Sequence, residues 1–173
     1  RAMRQSEMVV TLHQRASDAA DEYRVKVYKQ GEEASLSELL PILDRMGFSC
    51  TYEYAYNVQP TDGLPNIWLH DLVGKISALD KDNLKEIEPL FADTFLKAWD
   101  RKIESDSFNA LVLAAGLNWR EANLFRAYAR YLDLARYALG KRYISQVLTK
   151  YSAITRKLCD AFLFLHDPQQ TRD

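Results

Sequence analysis

Six glycines, three histidines and two cysteines are all that 173 residues offer to the chemistries that depend on those side chains. Gly31, Gly47, Gly63, Gly74, Gly116 and Gly140 are too scattered for a GxGxxG or other phosphate-cradling loop, so no nucleotide site of a familiar kind can be drawn. His13, His70 and His166 lie far apart, which removes zinc motifs that set two donors on one helix face. Cys50 and Cys159 have neither a CxxC spacing nor nearby histidines, and the pair fits a reducing compartment and buried packing better than a bridge or a metal. No apolar run approaches the roughly 20 residues that span a bilayer, and the first residues lack the apolar core of a signal peptide. A cytoplasmic location is expected. Excess charge is missing too: the formal net charge is −1, so no global field points toward nucleic acid or an anionic membrane.

What is present is apolar and helical. Asn118 precedes Trp119, with Glu121 three residues on, the spacing of a capping box, so a helix is expected to start at Trp119. Upstream, Asp106 or Ser107 can cap a shorter helix through Leu113, and Gly116 is placed to end it in the left-handed conformation. On the second helix Leu124, Ala127, Tyr128, Tyr131, Leu134 and Ala135 make one apolar stripe. Trp119, Ala122, Phe125, Ala129 and Leu132 make another. Only Asn123, Arg126, Arg130 and Asp133 stay polar between them. Such a helix is covered on two sides, and a chain of this size has limited material to do it. Part of the cover is therefore expected from another domain. Beyond Gly140, two further helices are predicted over 141–150 and 152–166, with stripes Tyr143, Val147, Tyr151 and Ile154, Leu158, Ala161, Leu165.

The first half is β-rich. Residues 3–20 are read as an amphipathic helix with Met8, Leu12, Ala16 and Ala19 on one face. Residues 23–29 alternate as a strand, and Ser35 with Glu38 opens a helix through Met46 that carries Pro41 and stops at Gly47. Phe48 to Val58 alternates again, with Phe48, Cys50, Tyr52, Tyr54 and Tyr56 on one side; a turn-rich stretch, 59–65, leads to a strand over 67–73. A helix over about 82–103 is predicted to lay Ile87, Phe91, Phe95, Ala98 and Trp99 on the sheet. The order is most of a ferredoxin-like βαββ unit, but no fourth strand follows the helix. The sheet is expected to be incomplete, or completed from elsewhere.

Candidates for chemistry are few, and each has a structural account. His70-Asp71 is the one acid–base pair, yet adjacent strand residues point to opposite faces. Arg120, Arg126, Arg130, Arg136 and Arg142 form a basic strip interrupted by Glu121 and Asp133, which favours a solvated or interdomain salt-bridged face over a phosphate track. The tyrosine row could stack bases, but no basic cluster or RNP1 pattern accompanies it, so core or interface packing explains it better. Ser35, Ser107 and Ser152 sit at capping positions. No residue is assigned as catalytic, cofactor-binding or metal-binding.

The run WDRKIESDSFNALVLAAGLNWREANLFRAYARYL from Trp99 to Leu132, with Tyr143-Ile144 and FLHDP from Phe164, resembles the internal helical segment of the large bacterial NAD-specific glutamate dehydrogenases. SLSELLPILDRMGF from Ser35 and IWLHD from Ile67 resemble the last ACT-like unit before that segment. The resemblance covers residues 23–168; no motif is placed in the first twenty residues, and Leu132-Asp133-Leu134-Ala135 is less polar than the expected continuation. It implies an α+β chain: an incomplete ferredoxin-like (ACT-like) βαββα unit followed by an all-helical bundle. The expected organisation is an N-terminal arm over 1–21, the ACT-like unit over 22–78, the helical domain over 79–168 and a tail over 169–173. It further implies a parent enzyme that converts L-glutamate to 2-oxoglutarate and ammonia with NAD. The dinucleotide fold, catalytic lysine and aspartate of that family belong to a later domain, and no position here matches them. A regulatory or architectural role follows, with no cofactor in this segment. Its expected partners are the other domains, including the catalytic one, a homo-oligomer and an amino-acid effector. A stand-alone ACT-like sensor or interaction module is the alternative.

Overall fold

The computed structural model describes residues 8–60, 64–77, 79 and 83–166. Four strands, β1 (Met8–His13), β2 (Glu22–Gln30), β3 (Ser49–Val58) and β4 (Ile67–Lys75), form one antiparallel sheet in the order β1-β2-β4-β3. Helices α1 (Leu36–Arg45) and α2 (Leu84–Trp99) share its core: Val25, Val27 and Leu72 from the strands are buried with Leu39 and Leu43 of α1 and Phe91 and Phe95 of α2. Burying each such side chain contributes roughly 1.5–3 kcal/mol, so this face holds the unit together. The architecture is α+β, an ACT-like sheet followed by helices, as the strand and helix periodicities anticipate.

Two expectations are corrected. Residues 8–13 are a strand, not part of an amphipathic helix, and they are the missing fourth strand. Met8 and Leu12 share a face in either conformation, but Val9, Val10 and Thr11 are β-branched and favour the strand. Pairing with β2 settles it: Val10 lies opposite Val27 and Leu12 opposite Val25, and both Val10 and Leu12 are buried. A ferredoxin-like sheet ordinarily takes this edge strand from beyond its second helix. Here it arrives from upstream, and the sheet is completed within the chain.

The second correction concerns β3. A bulge between Cys50 and Tyr52 leaves Thr51 without a partner, so the alternation slips by one residue. Phe48 is buried and Cys50 packs against the core, whereas Tyr52, Tyr54 and Tyr56 stand on the opposite face, half exposed. Gly74 of β4 lies across from Cys50, where a Cβ would come within 2.4 Å of the Ser49 carbonyl oxygen and 2.7 Å of the Phe48 ring. Only glycine fits this close approach.

Local signals hold well in the helical part. Ser35 caps α1, its Oγ accepting from the Ser37 N–H. The helix predicted over 82–103 is shorter, ending at Trp99. Asp106 caps a 3-10 turn over Ser107–Ala110, and α3 (Leu111–Ala115) ends at Gly116 with φ of 62°. Asn118 and Glu121 close the expected capping box at the start of α4 (Trp119–Leu134), and α5 (Lys141–Lys150) and α6 (Ser152–Leu165) follow. Helix α3 joins two cores. Val112 and Leu113 pack into the sheet's core, while Leu111 packs with Phe108, Leu117, Phe125, Ala129 and Cys159 in a second one.

Candidate functional site

The polar strip of α4 is the first place where structure adds to pattern. Arg126, expected on a solvated or interdomain salt-bridged face, is only 5% exposed and pairs within the chain. Its guanidinium donates two bonds to Asp106, at 2.8 and 2.7 Å, and one to Asn109 Oδ1 at 2.9 Å; it also bonds Asn123 and lies over the Phe108 ring. A planar fork that meets a carboxylate through two parallel bonds is a strong, directional contact. The same Asp106 caps the 3-10 turn, so one carboxylate fixes both the turn and α4. Arg130 pairs with Glu104 next to it. Arg156 of α6 reaches Glu121, the Gly116 carbonyl and Asp160, tying α6 to the start of α4. Side-chain hydrogen bonding to Asp160, the largest cause, raises the Arg156 pKa further and keeps it charged. Arg126, Arg130 and Arg156 thus serve as internal ties; Arg120 lies over the Trp119 ring instead.

The apolar stripes divide unequally. Ala122, Phe125 and Ala129 of α4 are buried, whereas Tyr128, Tyr131 and Leu134 stand out, Leu134 being 83% exposed. Helix α6 turns inward the residues that pattern alone would not choose: Thr155 and Cys159 are buried, and Thr155 Oγ1 donates to the Leu148 and Tyr151 carbonyls. Its predicted apolar stripe faces out, with Ile154 at 57% exposure and Leu158 and Leu165 similar. Between α4, α5 and α6 runs an apolar groove of about 450 Å³ lined by Leu124, Tyr128, Ile144, Leu148, Leu158 and Phe162, among others. On the other face of the sheet, Tyr52, Tyr54, Tyr56 and Val58 of the edge strand β3 are at least half exposed, and so is Val9 of β1 at the opposite edge.

The residues weighed as chemical candidates do not converge. His70 and Asp71 point to opposite faces of β4. His70 is buried on the core side with Nδ1 3.0 Å from Glu53 Oε1, and Asp71 meets Arg24 at 3.7 Å and Arg15 at 3.5 Å on the other side. Cys159 is buried and Cys50 half-buried; both are free, and burial raises both thiol pKa values, which works against nucleophilic chemistry. Among the described residues no three His, Cys, Asp or Glu side chains cluster as metal ligands. No helix of the described residues is long and apolar enough to cross a membrane.

Fold and surfaces together define a class: an ACT-like α+β unit joined through α3 to a helical unit with uncovered apolar faces. Residues 7–87 match the family described as glutamate dehydrogenase, ACT3 domain, and residues 103–168 that described as glutamate dehydrogenase, helical motif 3. The chain is 30% identical over 163 residues to the NAD-specific glutamate dehydrogenase of Halomonas elongata, which covers 94% of this chain and 10% of that protein. It is 31% identical over 159 residues to that of Pseudomonas aeruginosa, covering 91% and 10%, and 37% identical over 145 residues to that of Mycobacterium tuberculosis, covering 80% and 9%. The chain belongs to the glutamate dehydrogenase family and spans about a tenth of the length of these relatives.

Proposed function

We propose that these residues are a regulatory or architectural segment of an NAD-dependent glutamate dehydrogenase, whose other domains oxidise L-glutamate to 2-oxoglutarate and ammonia. The observation that carries this reading is the ordered pair of matches, ACT3 and then helical motif 3, across most of the chain. The physical support is the uncovered apolar surface: a helix with Leu134, Tyr131 and Tyr128 in water makes sense beside neighbours that bury them. The partners of those faces are the catalytic and other domains of the same polypeptide and further subunits of a homo-oligomer, in a cytoplasmic enzyme of glutamate catabolism. An amino-acid effector at the ACT-like sheet fits the same reading, with the domain boundary near residue 78.

The test is direct. The full polypeptide encoded by the surrounding reading frame is expected to reduce NAD in the presence of L-glutamate, and the 173 residues alone are expected not to. Turnover by the 173 residues themselves, or a reading frame without a dinucleotide-binding domain, would overturn the proposal; the second outcome would favour a stand-alone ACT-like module.

A further inference from the structure

We infer that the groove between α4, α5 and α6 seats an amphipathic helix whose apolar face is flanked by carboxylates. The inference deepens the docking role proposed above by naming the chemistry of one partner, and it rests on that role but not on the redox reaction.

Three observations carry it. The first is the groove itself, an apolar trough lined by Leu124, Leu148, Leu158 and Leu165 and by the T-shaped Tyr128–Phe162 pair. A helix laid into such a trough is held by side chains at three- and four-residue spacing. The second observation is that exposed Ile154 extends the groove-lining row of Leu158, Ala161 and Leu165 toward the start of α6, about three turns in all. It offers a visiting helix a second contact along its length.

Charge supplies the third and selects the partner's sign. The chain as a whole carries −1, yet residues 119–166 hold nine Lys and Arg against three Asp and Glu. Two of those carboxylates, Glu121 and Asp160, are held by Arg156, while Arg126 and Arg130 are held by Asp106 and Glu104 from the preceding segment, which leaves six cations against Asp133. Lys141 lies three and seven residues before the groove-lining Ile144 and Leu148, on the same face of α5. Lys157 lies four before Ala161, on the flank of the α6 stripe. Neither lysine makes an ion pair among the described residues, and Lys141 stands in the first turn of α5, where the helix dipole also favours an anion. Acidic flanks on the partner meet these lysines, whereas basic flanks meet like charge.

The probe is a designed 18-residue fluorescent helix with leucines at three- and four-residue spacing and glutamates on both flanks; its twin carries lysines in place of the glutamates. Fluorescence polarisation with the 173-residue chain is expected to show saturable binding of the acidic helix, at least tenfold tighter than the basic one and weakened by salt. Leu158→Glu, at a half-exposed position, is expected to abolish binding while circular dichroism stays unchanged. The double variant Lys141→Glu/Lys157→Glu is expected to reverse the preference. Absence of binding, equal binding of both helices, or a preference for a single-stranded oligonucleotide at equal concentration would overturn the inference. So would a dimer of the chain, seen by sedimentation, that Leu158→Glu dissolves. Because none of these readouts involves NAD, a failed groove and a failed enzymatic reading are distinguishable.

Discussion

Replacing Arg126 with alanine tests whether the buried guanidinium holds the helical unit to its approach segment. The substitution removes two bonds to Asp106, at 2.8 and 2.7 Å, and one to Asn109 Oδ1 at 2.9 Å. Breaking a buried charge pair by deleting one partner costs about 3–5 kcal/mol, because the other charge is left unmatched. The Asp106 side chain is about one-third exposed and regains water, which moves the expectation to the low end; Asn109, 1% exposed, loses its acceptor's partner and cannot. A loss of about 3 kcal/mol is expected, or a fall in Tm of about 6–12 °C for a chain of this length. Arg126→Lys keeps a charge but not the fork and should fall between the two. Thermal unfolding followed by circular dichroism reads both, and a cycle with Asp106→Asn should return a coupling above about 1 kcal/mol. A change below about 1 kcal/mol for Arg126→Ala would refute the claim that this side chain is an internal tie.

Other perturbations follow from the same geometry. Gly74→Ala should destabilise by about 2 kcal/mol or more in urea unfolding, because its Cβ meets backbone at the Ser49 carbonyl rather than a side chain that can move. Val10→Lys should cost about 2–4 kcal/mol if β1 is a true sheet strand, and almost nothing if residues 8–13 are a loose helical arm. Tyr52→Ser and Tyr54→Ser, on the free face of the sheet, should each change stability by less than about 0.5 kcal/mol. Burial, and next the charge of Lys26, hold the His13 pKa below its ordinary value. A group whose folded pKa is depressed gives stability that is complete above the unfolded pKa of about 6.5 and is lost as pH falls below it. His13→Gln should therefore flatten the stability profile on the acid side of about pH 6.5, which chemical denaturation at several pH values measures.

What could be read from residues alone was what short-range chemistry decides. Asn118 with Glu121, Ser35, Asp106 and Gly116 fix helix ends through contacts within a few residues, and each holds in the structure. What escaped depends on distant partners. Met8 to Leu12 satisfies a helical and a strand pattern equally until β2 is set beside it. The Thr51 bulge is decided by β4, some twenty residues on, and it sends three tyrosines to the face opposite the one that plain alternation assigns. Arg126 is drawn inward by an aspartate in the preceding segment. On α6 the apolar stripe was visible, but its orientation was not: a small, hydrogen-bonded inner face of Thr155 and Cys159 packs closely against the rest and leaves the larger side chains outside. The surfaces most informative about function are thus those where the usual rule, apolar inside, fails. Such failures are expected where a surface is reserved for a neighbour.

The central claim is that the exposed aromatic and aliphatic faces are contact surfaces within a larger glutamate dehydrogenase. Hydroxyl-radical footprinting read by mass spectrometry tests it, comparing the 173-residue chain with the full polypeptide at matched dose. Tyr131, Leu134, Leu158 and Leu165 should react readily in the short chain and be protected several-fold in the long one, while the already buried Phe91 and Phe95 stay unreactive in both. Equal labelling of those four residues in the two proteins would contradict the account.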